Sequence, residues 1–250
     1  MDPIDIEIAD PAPVAGPPPP PRPNPWRAWA EIVLCSGYPT QLSLGLLIQA
    51  SGLPPIRADG SLSGSFVFAL SLLDTVLLLT LIVWLIKRRG ERLREVFFGD
   101  RPVAPEIGFG FLALPAIVTI VVVLMTAIRV GAPSLHNVPD NPLEGLLDSQ
   151  TGLLAFLFVV IVAGGLREEL QRAFQLHRFR TDLGSRGMGV LITSLAFGLG
   201  HTLQGWDAAI LTGALGATWG LMFLTRRSAI APIVSHSLFN SGELLRAFLR

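Results

Sequence analysis

The chain has 250 residues, of which half are hydrophobic and only 15% are charged, and its formal net charge is zero. A soluble domain carries about a quarter charged residues, so this composition predicts a multi-pass membrane protein. No basic stripe with interleaved aromatics is present, which argues against nucleic acid as a partner. The single cysteine, Cys35, excludes an internal disulfide framework and a cysteine-based metal cluster.

The first 25 residues form an acidic and then proline-rich segment, in which Pro17–Pro21 are consecutive. Such a composition cannot bury a hydrophobic core, and it predicts a disordered cytosolic tail. The segment also lacks the basic and then apolar layout of a cleavable signal peptide. We therefore expect the transmembrane domain to comprise residues 26–250.

Seven windows follow that are long and apolar enough to cross a bilayer, since a spanning helix needs about 20 mainly apolar residues. They predict an all-α bundle of about seven transmembrane helices. The first window is the weakest, because Glu31, Tyr38, Pro39 and Gln41 interrupt it. The windows are 29–52, 66–87, 107–129, 150–175, 188–204, 207–225 and 229–248.

Arginines are concentrated in alternate loops, at 87–94, 178–186 and 226–227. By the positive-inside rule, these loops and the N-terminus are cytosolic, and seven spans leave the C-terminus outside. Lys87 is the one lysine beside many arginines, with much alanine, glycine and proline. This usage is typical of a GC-rich genome and predicts an integral protein of a bacterial cell membrane.

Three windows carry ionisable groups that membrane spans rarely contain. Glu168 and Glu169 lie in the fourth, His201 in the fifth and His236 in the seventh. Such groups are costly inside a bilayer unless they pair or line a wet cavity, so they indicate a functional site. At 1.5 Å per helical residue they lie roughly 12 to 20 Å from the arginine-rich loops. We expect them to converge near the middle of the bilayer.

Local spacing brings further side chains to these groups. Arg172 follows Glu168 by four residues and Glu169 by three, so its guanidinium can pair with either carboxylate. Two more pairs share a helix face at a spacing of four residues, namely Phe197 with His201 and His236 with Asn240.

Glycines mark where helices approach closely. Gly213, Gly216 and Gly220 follow one face of the sixth window and predict close packing of that span against a neighbour. The pair Gly164 and Gly165 stands just before the glutamates. We interpret this pair as a packing or kink device.

The segments that carry these residues resemble the motifs of a known family. They are Glu-Glu-Leu-Gln-Arg at 168–172, Phe-Gly-Leu-Gly-His at 197–201 and His-Ser-Leu-Phe-Asn at 236–240. These are similar to the Glu-Glu-x-x-x-Arg, Phe-x-x-x-His and His-x-x-x-Asn motifs of the CAAX prenyl protease and bacteriocin-processing family of intramembrane proteases, also called CPBP or Abi. The resemblance covers about residues 150–245.

One departure from the family motif concerns the glutamates. The family has three residues between its second glutamate and the arginine, whereas only Leu170 and Gln171 intervene here. If the motif is aligned on its arginine, Glu168 corresponds to the second glutamate of the family. If it is aligned on the spacing to His201, Glu168 corresponds to the first glutamate. The catalytic glutamate is therefore Glu168 or Glu169, and we prefer Glu168 with Glu169 in support.

The resemblance implies an intramembrane endopeptidase, metal-dependent or glutamate-dependent, that acts on a membrane-associated peptide or protein among membrane lipids. The catalytic glutamate would take a proton from water and return it to the leaving amine. His201 and His236 would either hold a divalent metal such as zinc, or position water and stabilise the oxyanion with Asn240. Arg172 and Phe197 would support these groups. Catalysis without a metal is equally compatible with the residues.

A second hypothesis is a non-proteolytic membrane protein of the same fold, such as a transporter, an immunity protein or a scaffold subunit. Intramembrane carboxylates and histidines also serve as proton relays. Against transport, the sequence contains no visible internal repeat, and the polar groups cluster in one half of the chain. A shared chemical step requires the glutamates, His201 and His236 to act as a unit, whereas a scaffold does not.

Overall fold

The computed structural model describes residues 24–147 and 149–250, and these form an all-α bundle without a β-strand. The expected tail, residues 1–25, therefore lies outside the described residues except for Asn24, which caps the first helix, and Pro25. The helices are α1 (Pro25–Leu34), α2 (Tyr38–Ala50), α3 (Gly64–Arg88), α4 (Leu93–Phe97), α5 (Val103–Gly131), α6 (Gln150–Val159), α7 (Glu168–Thr181), α8 (Arg186–Leu199), α9 (Trp206–Arg226) and α10 (Ile230–Phe248).

Four segments are long and apolar enough to cross a membrane, and they correspond to the first, second, third and sixth predicted windows. The other three windows are also helical, but α8 is short and the remaining two carry ionisable residues. A polytopic helical bundle is thus confirmed, while the count of seven spans stays a prediction. The four segments are Pro25–Ala50, Gly64–Arg88, Val103–Gly131 and Trp206–Arg226.

The weak first window is divided into two helices, contrary to the expectation of one continuous helix. The chain turns at Gly37, whose φ of 87° is a left-handed conformation that glycine adopts without steric cost. Pro39 then lies in the first turn of α2, where its missing N–H breaks no helical hydrogen bond. Beside the turn, the Tyr38 hydroxyl donates a hydrogen bond of 2.6 Å to the Ala196 carbonyl. The break therefore brings the start of α2 against α8.

The arginine-rich loops lie together at one end of the bundle, here called the arginine-rich end. Arg178 near the end of α7 is fully buried and donates 2.7 Å hydrogen bonds to Glu31 of α1 and to Glu91 after α3. Burial raises the pKa of Glu91, but hydrogen bonds from His177 and Arg178 outweigh that effect and lower it to about 2. These ion pairs hold α1, α7 and the loop after α3 together.

The opposite end of the bundle brings together the arginine-poor loops. The Trp206 amide donates a 2.9 Å hydrogen bond to the Asn137 side chain, and His136 Nδ1 lies 2.7 Å from the Asp207 carboxylate. Alternate loops thus lie at opposite ends of the molecule, as the arginine pattern requires. The side that faces the cytosol stays a prediction.

The glycines of α9 are packed as expected from the sequence. A Cβ atom at Gly216 would lie 2.9 Å from Phe197 Cδ1, and one at Gly213 would lie 3.3 Å from the Ser194 carbonyl oxygen. Gly220 faces α7 instead, where a Cβ would be in ordinary contact with Leu176. The small residues therefore let α9 approach α8 and α7 closely, which positions Phe197 beside the site.

A π-helical segment, Val160–Arg167, joins α6 to α7 directly before the two glutamates. A Cβ at Gly164 would lie 2.7 Å from Asn240 Nδ2, and one at Gly165 would collide with Ser237. The glycine pair thus allows close contact with α10, which confirms its packing role. Single π turns inside helices are frequent at functional sites. This one brings Asn240 against the segment that carries the glutamates.

Candidate active site

Glu169 is enclosed between α7 and α10. Its side chain is only 1% exposed, and its Oε1 atom accepts hydrogen bonds from Arg172 Nη1 and from His236 Nδ1, the latter at 2.8 Å. Of the two pairings that the spacing allowed for Arg172, the structure contains the one with Glu169. Glu169 therefore has a guanidinium and an imidazole as partners and little access to water.

Glu168 is placed differently from its neighbour. Its side chain is 20% exposed and lines two cavities. Its Oε2 atom is 3.8 Å from His236 Nε2 and its Oε1 atom is 3.9 Å from Arg167 Nη1, so neither distance is a direct hydrogen bond. The carboxylate of Glu168 is thus open on the side of the cavities.

His236 is fixed on both sides of its ring. The Glu169 carboxylate can only accept a hydrogen bond, so Nδ1 carries the hydrogen and Nε2 is directed away from Glu169. The ring stacks on Trp219 with centroids 3.7 Å apart and planes inclined by 15°. Trp219 is itself held by a 3.1 Å hydrogen bond from its Nε1 to Ser235 Oγ. Trp219 was not predicted as a site residue, because a tryptophan within an apolar window has no distinguishing signal.

The fifth window predicted that His201 lies within a spanning helix, and this prediction is wrong. Helix α8 ends at Leu199, and His201 stands in the turn that precedes a short 3₁₀ segment. Its Nδ1 hydrogen-bonds the Phe197 carbonyl at 2.8 Å, which leaves Nε2 free. This correction leaves His201 beside the other site residues, since it lines both cavities with Glu168.

Phe197 and Asn240 complete the arrangement. The Phe197 ring meets the His201 ring edge-on at 4.9 Å and the His236 ring at 6.1 Å, and the Arg172 guanidinium lies 4.5 Å from its centre. Asn240 lies four residues after His236 on α10 and lines one cavity. The structure therefore brings together all seven residues that the sequence singled out, while their roles stay a prediction.

Two cavities meet at Glu168. The first, of about 210 Å³, extends toward the start of α2, and we call it the α2-side cavity. The second, of about 370 Å³, extends along α10 toward Glu243 and the loop near Asn141, and we call it the α10-side cavity. Four residues line both of them, namely Glu168, Phe197, His201 and Gln204.

A buried ion pair lies next to Glu168 and was missed by the sequence analysis. Asp74 of α3 is 0% exposed and accepts hydrogen bonds from Arg167 Nη2 and, at 3.3 Å, from Gln41 Nε2. Arg167 also donates a 3.1 Å hydrogen bond to Gln171 Oε1. Asp74 is an acidic residue within an apolar window, so the signal that identified the glutamates was present here too.

The arrangement of donors bears on the metal alternative. In residues 24–147 and 149–250, no group of three or more His, Cys, Asp and Glu side chains is placed to hold one metal ion. Asn240 would be a poor fourth ligand for zinc. The side chains that surround Glu168 supply a general base and hydrogen-bonding groups of their own, and the choice between metal-dependent and glutamate-dependent catalysis stays a prediction.

Residues 149–242 match the family model described as type II CAAX prenyl endopeptidase Rce1-like. This match confirms the family resemblance, and the family implies a protease. The matched segment contains all three motifs, whereas Asp74 and Gln41 lie outside it. No curated protein and no solved structure significantly matches the chain.

Proposed function

We propose that this chain, whose residues 149–242 match the Rce1-like endopeptidase family model, is an intramembrane protease in which Glu168 activates the attacking water. The difference between the two adjacent glutamates carries this proposal. Glu169 is enclosed by Arg172 and His236, whereas Glu168 opens to both cavities. Only Glu168 has space beside it for a water molecule and a substrate.

The water lies between Glu168 and His236. The 3.8 Å separation of Glu168 Oε2 and His236 Nε2 is too long for a hydrogen bond, and polar groups at such a distance are commonly bridged by water. Because Nδ1 of His236 carries the hydrogen, neutral His236 offers the Nε2 lone pair to one hydrogen of this water. Glu168 takes the other hydrogen as general base while the water oxygen attacks the scissile carbonyl carbon.

The remaining groups act on the substrate. The side-chain amide of Asn240 lines the α10-side cavity and donates to the oxyanion that forms on the carbonyl oxygen. His201, at the junction of the cavities, positions the scissile peptide group. Glu168 then returns its proton to the leaving amine, which breaks the C–N bond and leaves a carboxylic acid. The remaining hydrogen of the former water passes from this acid to His236 Nε2, which yields the new carboxylate.

Glu169 and Arg172 act through His236. The Glu169 carboxylate fixes the tautomer and orientation of the His236 ring, and the Arg172 guanidinium balances the buried negative charge. Stacking of Trp219 on the same ring restricts its rotation. These contacts support a chemical role for Glu168 and a positioning role for Glu169.

A comparison of peptide termini tests the proposed function. Membranes from cells that carry the intact protein should contain a set of new N- and C-termini that disappears in the Glu168→Ala/Glu169→Ala double variant. A matched control is Glu95→Ala, which removes a carboxylate that is 65% exposed in α4. Identical sets of termini in all three membranes, at equal protein levels, would favour the non-proteolytic alternative.

A further inference from the structure

The arginine-rich end contains a cavity that the proposed protease chemistry does not use. It has a volume of about 700 Å³ and lies where α7 and α9 end and α5 and α8 begin. The buried apolar side chains Leu176 and Phe223 contribute to its wall. We call it the arginine pocket, because its lining includes Arg101, Arg180, Arg186, Arg226 and Arg227.

Two of these arginines are already paired. Arg226 donates hydrogen bonds of 2.8 and 2.7 Å to the two oxygens of the buried Glu106 carboxylate. Arg101 lies 3.9 Å from the same carboxylate and donates a 2.9 Å hydrogen bond to the Arg226 carbonyl. These contacts stabilise the helix ends, and the Glu106 carboxylate already serves as the anionic partner of Arg101 and Arg226.

The other three arginines have no acidic partner in the part of the chain that the structure describes. Glu95 and Asp100 also line the pocket, but no carboxylate lies within 4.0 Å of Arg180, Arg186 or Arg227. Burial and the neighbouring charges of Arg227 and Arg186 lower the pKa of the Arg180 guanidinium. Three cations therefore face each other across a cavity that has room for an anion.

The backbone at Arg227 is a second, independent feature of the pocket. Arg227 caps α9 with a φ of 54°, and it is the one non-glycine residue with a positive φ among those the structure describes. Glycine is the residue usually found at this position of a helix end, because a Cβ is unfavourable there. Arg227 therefore lines the pocket from a backbone conformation that its Cβ disfavours.

We propose that the arginine pocket binds a phosphate group, from a lipid headgroup or from free phosphate, with Arg180, Arg186 and Arg227 as its ligands. A guanidinium presents paired N–H donors that match two phosphate oxygens. Basic pockets between transmembrane helices are a common recognition site for anionic headgroups.

Titration of the purified full-length protein with two probes tests this site. The probes are inorganic phosphate and dihexanoyl phosphatidylglycerol, and the measured quantity is the dissociation constant. Arg180→Gln and Arg227→Gly should each weaken binding about 10-fold or more, since each removes a charge-assisted contact. Arg227→Gly also replaces a strained residue by the one that its φ favours, so loss of binding there cannot be ascribed to misfolding.

The matched control is Arg129→Gln, which removes one exposed arginine at the end of α5 opposite the arginine pocket and should change the dissociation constant less than about 2-fold. If the pocket variants lose binding of phosphatidylglycerol but not of inorganic phosphate, the ligand is a lipid headgroup. If they lose binding of both probes, the pocket recognises the phosphate group itself. No binding of either probe, or equal effects in Arg129→Gln and the pocket variants, would overturn the proposal.

Discussion

Glu168→Gln is expected to abolish peptide cleavage, because glutamine keeps the shape of glutamate but cannot accept a proton. General bases contribute about 100- to 10,000-fold to the rate, so kcat/KM of the purified variant should fall by a factor in that range while substrate binding is retained. Glu169→Gln should cost about 10- to 100-fold, the loss typical of a group that orients its neighbour. The measurement is kcat/KM of both variants on the same peptide.

The comparison of these two variants needs a control for folding. Glu169→Gln leaves the buried Arg172 without an anionic partner, so it should lower the stability of the protein as well as the rate. Activity is therefore normalised to the folded fraction. Full activity in Glu168→Gln with none in Glu169→Gln would reverse the assignment, and full activity in both would remove the protease proposal for this pair.

Asp74→Ala is expected to destabilise the protein by about 3–5 kcal/mol, because it leaves the Arg167 guanidinium buried without its carboxylate. The side chains of Asp74 and Arg167 are 0% and 7% exposed, so bulk water compensates little for the lost partner. The measurement is the free energy of unfolding in mixed lipid and detergent micelles. Asp140→Ala, at an exposed loop position, is the control and should change it by less than about 0.5 kcal/mol.

The double variant Asp74→Leu/Arg167→Leu shows whether Asp74→Ala is destabilising because it leaves a buried charge unpaired or because it removes the packing of a side chain. Replacement of both charges by apolar side chains is often neutral, so this variant should recover most of the stability that Asp74→Ala loses. A loss in the double variant equal to the sum of the two single losses would show that the two side chains act independently. A change below about 1 kcal/mol in Asp74→Ala would contradict the role of this pair.

Composition and residue spacing were sufficient to predict the fold class and to predict which residues lie together in the site. An all-α membrane bundle follows from long apolar windows, and the convergence of Glu168, His201 and His236 follows from their similar distance from the arginine-rich loops. The preference for Arg172 to bond Glu169 could not be decided, because both spacings are favourable on an ideal helix. Contacts with α10 decide it, since His236 holds Glu169 in place.

Features that depend on tertiary contacts could not be predicted from composition and residue spacing. The π-helical segment forms where glycines meet α10, and no local sequence preference marks such a segment. The break at Gly37 was signalled by weak hydropathy but was interpreted as an imperfect span. Asp74 carried a clear signal, but it lies on a helix outside the motifs, so its partner Arg167 was identified only from the three-dimensional structure.

A single turnover in oxygen-18 water tests the role of Glu168 most directly. The protein is held in excess over a peptide identified from the new termini, and the products and the protein are then analysed by mass spectrometry. Direct attack by a water that Glu168 activates should place one labelled oxygen in the new C-terminal carboxylate of the product and none in the Glu168 side chain. Label in the Glu168 side chain, or product without label, would contradict the proposed mechanism.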